Sequence, residues 1–143
     1  MPHLVILYTG QLDAEVQMGT LGRQLADAML TLQDEAGQPV FPTGGVRVLA
    51  YPATHYAVAD GGVAGLAAGG SGDYGFVYLN VRMGRGRSDA TQQRAGNTLV
   101  AVAKAFFAPL MAQRHVGITL QIDVGPEVFD AKHSNLHPLF NKA

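Results

Sequence analysis

The strongest constraint on the fold is a pattern that the chain contains twice, an apolar strand followed by a helical stretch and a second strand. In the first half, residues 4–8 are continuously apolar, as expected of a strand buried on both faces. Residues 46–51 form the second strand, bounded by Pro52. Between them, apolar residues recur at helical spacing, at Leu21, Leu25, Ala28, Met29 and Leu32. We expect Asp13 to cap this helix and the helix to end near residues 36–37.

The second half repeats this order. Residues 76–83 and 116–124 alternate apolar with polar or smaller side chains, which predicts two more strands. A helix should begin at Ser88 and be kinked or shortened by Pro109. Its apolar face consists of Ala95, Leu99, Val102, Phe106 and Leu110. Residues 61–72, between the halves, are rich in Gly, Ala and Ser and are predicted to be a loop.

These elements predict one α/β (α+β) domain over residues 1–143, with halves at about 2–58 and 73–125 and a C-terminal segment at 126–143. Two consecutive βαβ units give a four-stranded sheet with both helices on one face. The other face would then be wet unless another subunit covers it, so we expect an oligomer. We expect the uncovered apolar face to include Val77, Leu79, Val81, Val116, Ile118 and Leu120.

The composition narrows the class of partner. The chain is 48% hydrophobic and 15% charged, which is typical of globular proteins. Its net charge of -1 provides no basic excess for nucleic acid, so we expect a small-molecule ligand. The lack of cysteine excludes disulfides and thiol catalysis. With neither a secretory signal pattern nor an apolar run of about 20 residues, we expect no membrane association and a cytoplasmic location.

Pro2 is the first candidate for chemistry. Removal of Met1 would leave a secondary amine at the start of a buried strand, and such an amine can act as a base. If Met1 is retained, the Pro2 nitrogen is an amide and cannot serve as one. We then expect an inactive chain, with Met1 partly filling the pocket beside Pro2. The alternative is that Pro2 is only a tolerated second residue.

Two arginine positions are candidates for anion binding. In Gly84–Ser88 a strand ends and a helix begins, so backbone N–H groups and guanidinium groups can face one anion, for which carboxylate is a better guess than nucleotide. The alternative is an exposed glycine turn. Arg47 lies near the start of an otherwise apolar strand, where it meets either a ligand or an ordinary salt-bridge partner. His133 and His137 have metal-ligand spacing but no third ligand, so we predict no metal site.

An ordered set of segments resembles the 5-carboxymethyl-2-hydroxymuconate Δ-isomerases of the tautomerase superfamily. The segments are Pro2-His3, Phe41-Pro42, Gly45-Val46-Arg47, Ala59-Asp60-Gly61, Asp73-Tyr74-Gly75-Phe76-Val77, Gly84-Arg85-Gly86-Arg87-Ser88 and Asn135-Leu136-His137-Pro138-Leu139-Phe140. The match runs from one terminus to the other, with extra residues around 33–38 and 61–72.

The resemblance implies a homotrimer with active sites near subunit contacts, and a cofactor-free reaction in aromatic-acid catabolism. It implies that Pro2 carries the proton and that Arg47, Arg87 and His3 bind a carboxylate substrate. The predicted function is therefore a keto–enol tautomerase acting on an unsaturated hydroxy or oxo acid with two or three carboxylates. Two alternatives stay open, a tautomerase or hydratase with another substrate, such as phenylenolpyruvate, and a non-catalytic trimer that binds an anion.

Overall fold

The computed structural model describes residues 2–140. The strands are β1 (His3–Thr9), β2 (Arg47–Ala53), β3 (Tyr74–Met83) and β4 (His115–Val124). The α-helices are α1 (Met18–Thr31), α2 (Val63–Ala67) and α3 (Asp89–Met111). Three 3-10 turns lie at Gly10–Ala14, Thr43–Gly45 and His137–Phe140. None of the helices within 2–140 has the length and apolar character needed to cross a bilayer.

The four strands form one sheet in the order β2-β1-β3-β4. β1 is parallel to β2 and β3 is parallel to β4, while β1 and β3 are antiparallel. The sheet thus joins two βαβ units, which confirms the predicted four-stranded architecture. As a result, β1 and β2 begin at the same edge of the sheet at which β3 and β4 end.

The core lies between the sheet and the helices α1 and α3. Successive strand residues point to opposite faces, and one face is buried under these two helices. The strand residues with no exposed surface on this face are Leu4, Ile6, Val77, Leu79 and Val81. They pack with Leu21 and Leu25 of α1 and with Leu99 and Phe107 of α3. Burial of each such side chain contributes about 1.5–3 kcal/mol.

The predicted uncovered face was therefore assigned to the wrong side of the sheet. The alternating residues from Val77 to Val81 and from Val116 to Leu120 belong to the cluster under the helices. The opposite side, called the open face below, is mixed in polarity. It includes His3, Val5, Leu7, Arg47, Leu49, Tyr51, Tyr78, Asn80, Arg82, Gln121 and Asp123.

Asp13 does not cap α1, and α1 ends before residues 36–37. The Asp13 carboxylate accepts a hydrogen bond from the Tyr8 hydroxyl at 2.5 Å, within the turn that precedes the helix. α1 ends at Thr31 because residues 33–39 form a tight hairpin instead. The Asp34 carboxylate accepts hydrogen bonds from the backbone N–H groups of Ala36 and Gln38, which closes that turn.

Three other local predictions also differ from the structure. Pro52 lies inside β2, which is an edge strand and can therefore contain a residue without an N–H. α3 continues past Pro109 to Met111. The predicted loop contains α2, whose first turn is held by the Asp60 carboxylate through the N–H groups of Gly62 and Ala64. α2 packs against Tyr74 at the far end of the open face, where the Gly65 N–H donates to the Tyr74 hydroxyl at 2.9 Å.

Candidate active site

Pro2 is buried at the sheet edge where β1 begins. The turn Thr43–Gly45 packs against it so closely that a Cβ on Gly45 would lie 3.5 Å from Pro2 Cδ. On the other side of this turn, a Cβ on Gly44 would lie 2.9 Å from His137 Nδ1. Gly44 therefore lets the turn approach the C-terminal 3-10 turn, whereas a side chain at Gly45 would meet Pro2 at an ordinary van der Waals distance. The spacing of His137 from His133 drew attention to it as a metal ligand, but no pattern in the sequence indicated that it packs against Gly44.

The strand register aligns charged residues in one row across the open face. His3 pairs with Arg47 of β2 on one side and with Arg82 of β3 on the other, and Arg82 pairs with Asp123 of β4. Residues paired in this way have Cβ atoms about 4.5–5.5 Å apart. The structure thus places His3 opposite Arg47, with Pro2 directly before His3 in the chain, and adds Arg82 to the same row.

The environment of His3 favours its neutral form. Burial lowers the pKa of His3 below its ordinary value of 6.5, and the positive charges of Arg47 and Arg82 lower it further. Asp130, from the segment that follows β4, raises the pKa of His3. At neutral pH the imidazole is therefore an uncharged group that can donate one hydrogen bond and accept another.

Arg82 is oriented by a short polar network. Its Nε donates to Asn80 Oδ1 at 3.0 Å, and Asn80 Nδ2 donates to Asp123 Oδ2 at 2.9 Å. Asn80 is only 5% exposed, so this support is fixed in the sheet. Arg82 and Asp123 also line an open cleft of about 600 Å³ together with residues 125–127. Arg82 was not among the predicted site residues, although its place among the polar positions of an alternating strand was visible.

Arg87 is bound by the chain itself. Its Nε and Nη2 donate to the Val40 carbonyl at 3.1 and 2.9 Å, and its Nη1 donates to the Gly84 carbonyl at 3.0 Å. The guanidinium also lies 5.1 Å from the centre of the Phe41 ring, within cation–π range. Three of the five N–H groups of Arg87 are thereby used by residues 2–140, which leaves two for a ligand.

The amino-terminal end of α3 already has a carboxylate beside it. Ser88 caps the helix by accepting a hydrogen bond from the Thr91 N–H, and its hydroxyl donates to Glu35. The hydrogen bond from Ser88 lowers the pKa of Glu35, as do its own backbone N–H and Thr91. The anion predicted for this turn is thus supplied, at the helix end, by a side chain of the hairpin at residues 33–39.

Two further features concern the surroundings of Pro2. A cleft of about 900 Å³ lies on the opposite side of the sheet between α1 and the edge of β2, and Pro2, His3 and Arg47 do not line it. We therefore place the candidate site by the burial and contacts of Pro2, and this cleft is not part of it. The prediction that Met1 fills the pocket beside Pro2 concerns a residue outside the part of the chain that the structure describes.

Comparisons with known proteins agree on one family. A family model described as 5-carboxymethyl-2-hydroxymuconate isomerase matches residues 2–140. A relative from Escherichia coli, 5-carboxymethyl-2-hydroxymuconate Delta-isomerase, is 26% identical over 140 residues, which cover 98% of this chain and 99% of that protein.

Solved structures give the same result. A crystal structure of a 5-carboxymethyl-2-hydroxymuconate delta-isomerase has 66% sequence identity and a TM-score of 0.96, covering 100% of this chain and 95% of the other. A 5-carboxymethyl-2-hydroxymuconate isomerase from Deinococcus radiodurans R1 is 31% identical with a TM-score of 0.80, covering 99% of this chain and 95% of the other.

Proposed function

Because the chain belongs to the 5-carboxymethyl-2-hydroxymuconate isomerase family, and is thus an isomerase of the tautomerase superfamily, we propose that Pro2 is its catalytic base. The proposed substrate is 5-carboxymethyl-2-hydroxymuconate or an acid of the same type. The observation that carries the proposal is the position of Pro2, which precedes His3 at the buried start of β1 and lies beside the strand that begins with Arg47.

The proposed reaction moves one proton and changes no oxidation state. The Pro2 amine accepts the proton of the enol hydroxyl, and the O–H electron pair forms the carbonyl while the conjugated double bonds shift. The same nitrogen then returns a proton to a carbon atom at the other end of the conjugated system, where a C–H bond forms. Burial of Pro2 favours the neutral amine that this step requires.

The charged groups around Pro2 bind the acid and stabilise the dienolate. We assign a substrate carboxylate to Arg47, because no residue within 2–140 forms an ion pair with it. Neutral His3 donates a hydrogen bond to a substrate oxygen. Arg87 contributes its two remaining N–H groups and also holds the segment that leads to the Thr43–Gly45 turn. The proton transfer as proposed uses only these groups.

Assembly, location and pathway complete the proposal and derive from the resemblance. We propose a homotrimer, located in the cytoplasm, that acts in aromatic-acid catabolism. The open face supports an oligomer, because Leu7, Leu49 and Tyr51 of the neighbouring strands β1 and β2 are each about half exposed. Light scattering at micromolar concentration tests this part, and a stable folded monomer would contradict it.

Ketonisation of 5-carboxymethyl-2-hydroxymuconate, followed by ultraviolet absorbance, tests the substrate and the chemistry together. The protein should be prepared with Pro2 at its amino terminus and compared on phenylenolpyruvate. Faster turnover of the muconate supports the proposal. Preference for phenylenolpyruvate would indicate a different tautomerase, and turnover of neither compound would leave an anion-binding protein as the better account.

A further inference from the structure

We infer that Arg82 is a second substrate-binding cation of this site and that it selects acids with more than one carboxylate. This inference rests on the proposed function, since it names a specificity residue for the same site. It starts from a difference in how the chain uses its arginines. Arg87 gives three N–H groups to backbone carbonyls, whereas Arg82 gives only its Nε, to Asn80.

The terminal nitrogens of Arg82 are the groups available to a ligand. Within residues 2–140 they take part in no hydrogen bond and no ion pair. The Asn80 amide fixes the guanidinium at Nε, which leaves the two terminal nitrogens as the bidentate end that suits a carboxylate. In the single chain the Arg82 side chain is exposed and lines the cleft that it forms with residues 122–127.

The position of Arg82 relative to Arg47 indicates what kind of ligand would use it. The two arginines lie on the same face of the sheet, one on each side of His3, with β1 between their strands. Their backbones are thus about 10 Å apart, two strand spacings. Two cations at this separation can hold two carboxylates of one extended acid, while a compound with a single carboxylate can engage only one of them.

The local charge balance agrees with this assignment. Asp123 is the carboxylate nearest in the row, but it accepts its hydrogen bond from Asn80 and forms no ion pair with Arg82. His3, between the arginines, is biased towards the uncharged form. The row of Arg47, Arg82 and Asp123 therefore keeps one excess positive charge, which an anionic substrate can neutralise, while Glu127 adds a second carboxylate to the cleft that Arg82 lines.

Binding measurements on three proteins test the inference. Wild type, Arg82→Met and Arg85→Met are titrated by calorimetry with the saturated tricarboxylate that has the carbon skeleton of 5-carboxymethyl-2-hydroxymuconate, and with 3-phenylpropanoate, which has one carboxylate. Arg85 is a matched control, because it is an exposed arginine in the neighbouring turn and its loss changes the net charge equally. A thermal melt of each variant verifies folding.

We expect Arg82→Met to weaken binding of the tricarboxylate by about 10- to 150-fold, the range for a hydrogen bond to a charged group. Binding of 3-phenylpropanoate should change less than about threefold, and Arg85→Met should leave both affinities close to wild type. An Arg82→Met variant that binds the tricarboxylate as tightly as Arg85→Met does would overturn the inference. Equal weakening of both ligands would overturn it too, since Arg82 would then not read the additional carboxylates.

The ketonisation assay separates this inference from the proposed function. Wild type that prefers the tricarboxylate through Arg82 but turns over no enol would disprove the proposed function and support the inference. Turnover of 5-carboxymethyl-2-hydroxymuconate that is unchanged in Arg82→Met would support the proposed function and disprove the inference. A wild-type protein that neither binds the tricarboxylate nor catalyses the reaction would refute both.

Discussion

Replacement of Arg87 by alanine should destabilise the fold, in contrast to the small effect expected of a surface arginine. The change leaves the Val40 carbonyl without its two donors, and Val40 is only 7% exposed. An unsatisfied buried carbonyl raises the free energy of the folded state by about 1–3 kcal/mol. Loss of the cation–π contact with Phe41 adds about 0.5–1 kcal/mol. Loss of the Arg87 donor to the Gly84 carbonyl is not counted as a further cost, because Gly84 is half-buried and water can donate to that carbonyl instead.

The sum, about 1.5–4 kcal/mol, should lower Tm by roughly 5–15 °C in a domain of this size. Urea unfolding followed by circular dichroism measures the free energy of unfolding directly. Arg85→Ala, in the same turn but exposed, serves as the control and should stay within about 0.5 kcal/mol of wild type. Equal stability of Arg87→Ala and Arg85→Ala would refute the anchoring role of Arg87. The Arg87 guanidinium would then be available to bind substrate.

Arg47→Ala should lower kcat/KM by about 10²–10³-fold with an unchanged melt, because it removes a cation that meets the substrate carboxylate or the developing oxyanion; steady-state kinetics checks this. The pKa of His3 is lowered in the folded chain, so below pH 6.5 the unfolded chain binds a proton more readily than the folded chain does. The free energy of unfolding should therefore fall as the pH falls from 6.5. His3→Asn should reduce this pH dependence, which urea melts at a series of pH values measure. Gly44→Ala places a Cβ 2.9 Å from His137 Nδ1 and 3.2 Å from its Cα, so hydrogen exchange at residues 137–140 should accelerate, whereas Gly19→Ala, with no atom within 4 Å, should not affect it.

The repeated strand, helix and strand could be predicted from the sequence because each depends on local periodicity. The errors came where a side chain had two possible partners. Asp13 was a plausible helix cap, but its carboxylate instead accepts a hydrogen bond from the hydroxyl of Tyr8, five residues earlier. The end of α1 was misplaced because Asp34 closes a hairpin, and helical spacing alone does not reveal such a turn.

The face of the sheet was harder to assign than its strands. Alternation divides the residues of a strand into two sets but does not say which set the helices cover. The fully apolar set, with Val77, Leu79 and Val81, lies under α1 and α3 because burial there removes the most apolar surface from water. The mixed set, with His3 and Arg47, was left for the open face.

The site was predictable only in part, because its residues are distant in sequence. Pro2 and Arg47 were candidates from the sequence pattern and His3 was named through the resemblance, and the parallel pairing of β1 with β2 places His3 opposite Arg47. Arg82 reaches the same row through the antiparallel pairing of β1 with β3, a register that no local pattern encodes. The Val40 carbonyl, which holds Arg87, is 47 residues away along the chain, so this bond was equally invisible.

The state of the Pro2 nitrogen decides whether Pro2 is the catalytic base. Two preparations of the same chain, one beginning at Pro2 and one with Met1 verified by mass spectrometry, are compared in the ketonisation assay. Retained Met1 converts the Pro2 nitrogen to an amide, whose lone pair is delocalised into the carbonyl, so it cannot act as a base. We predict a rate about 10²–10⁴-fold lower than that of the chain with free Pro2, the usual contribution of a positioned base. Equal rates in the two preparations would contradict the account.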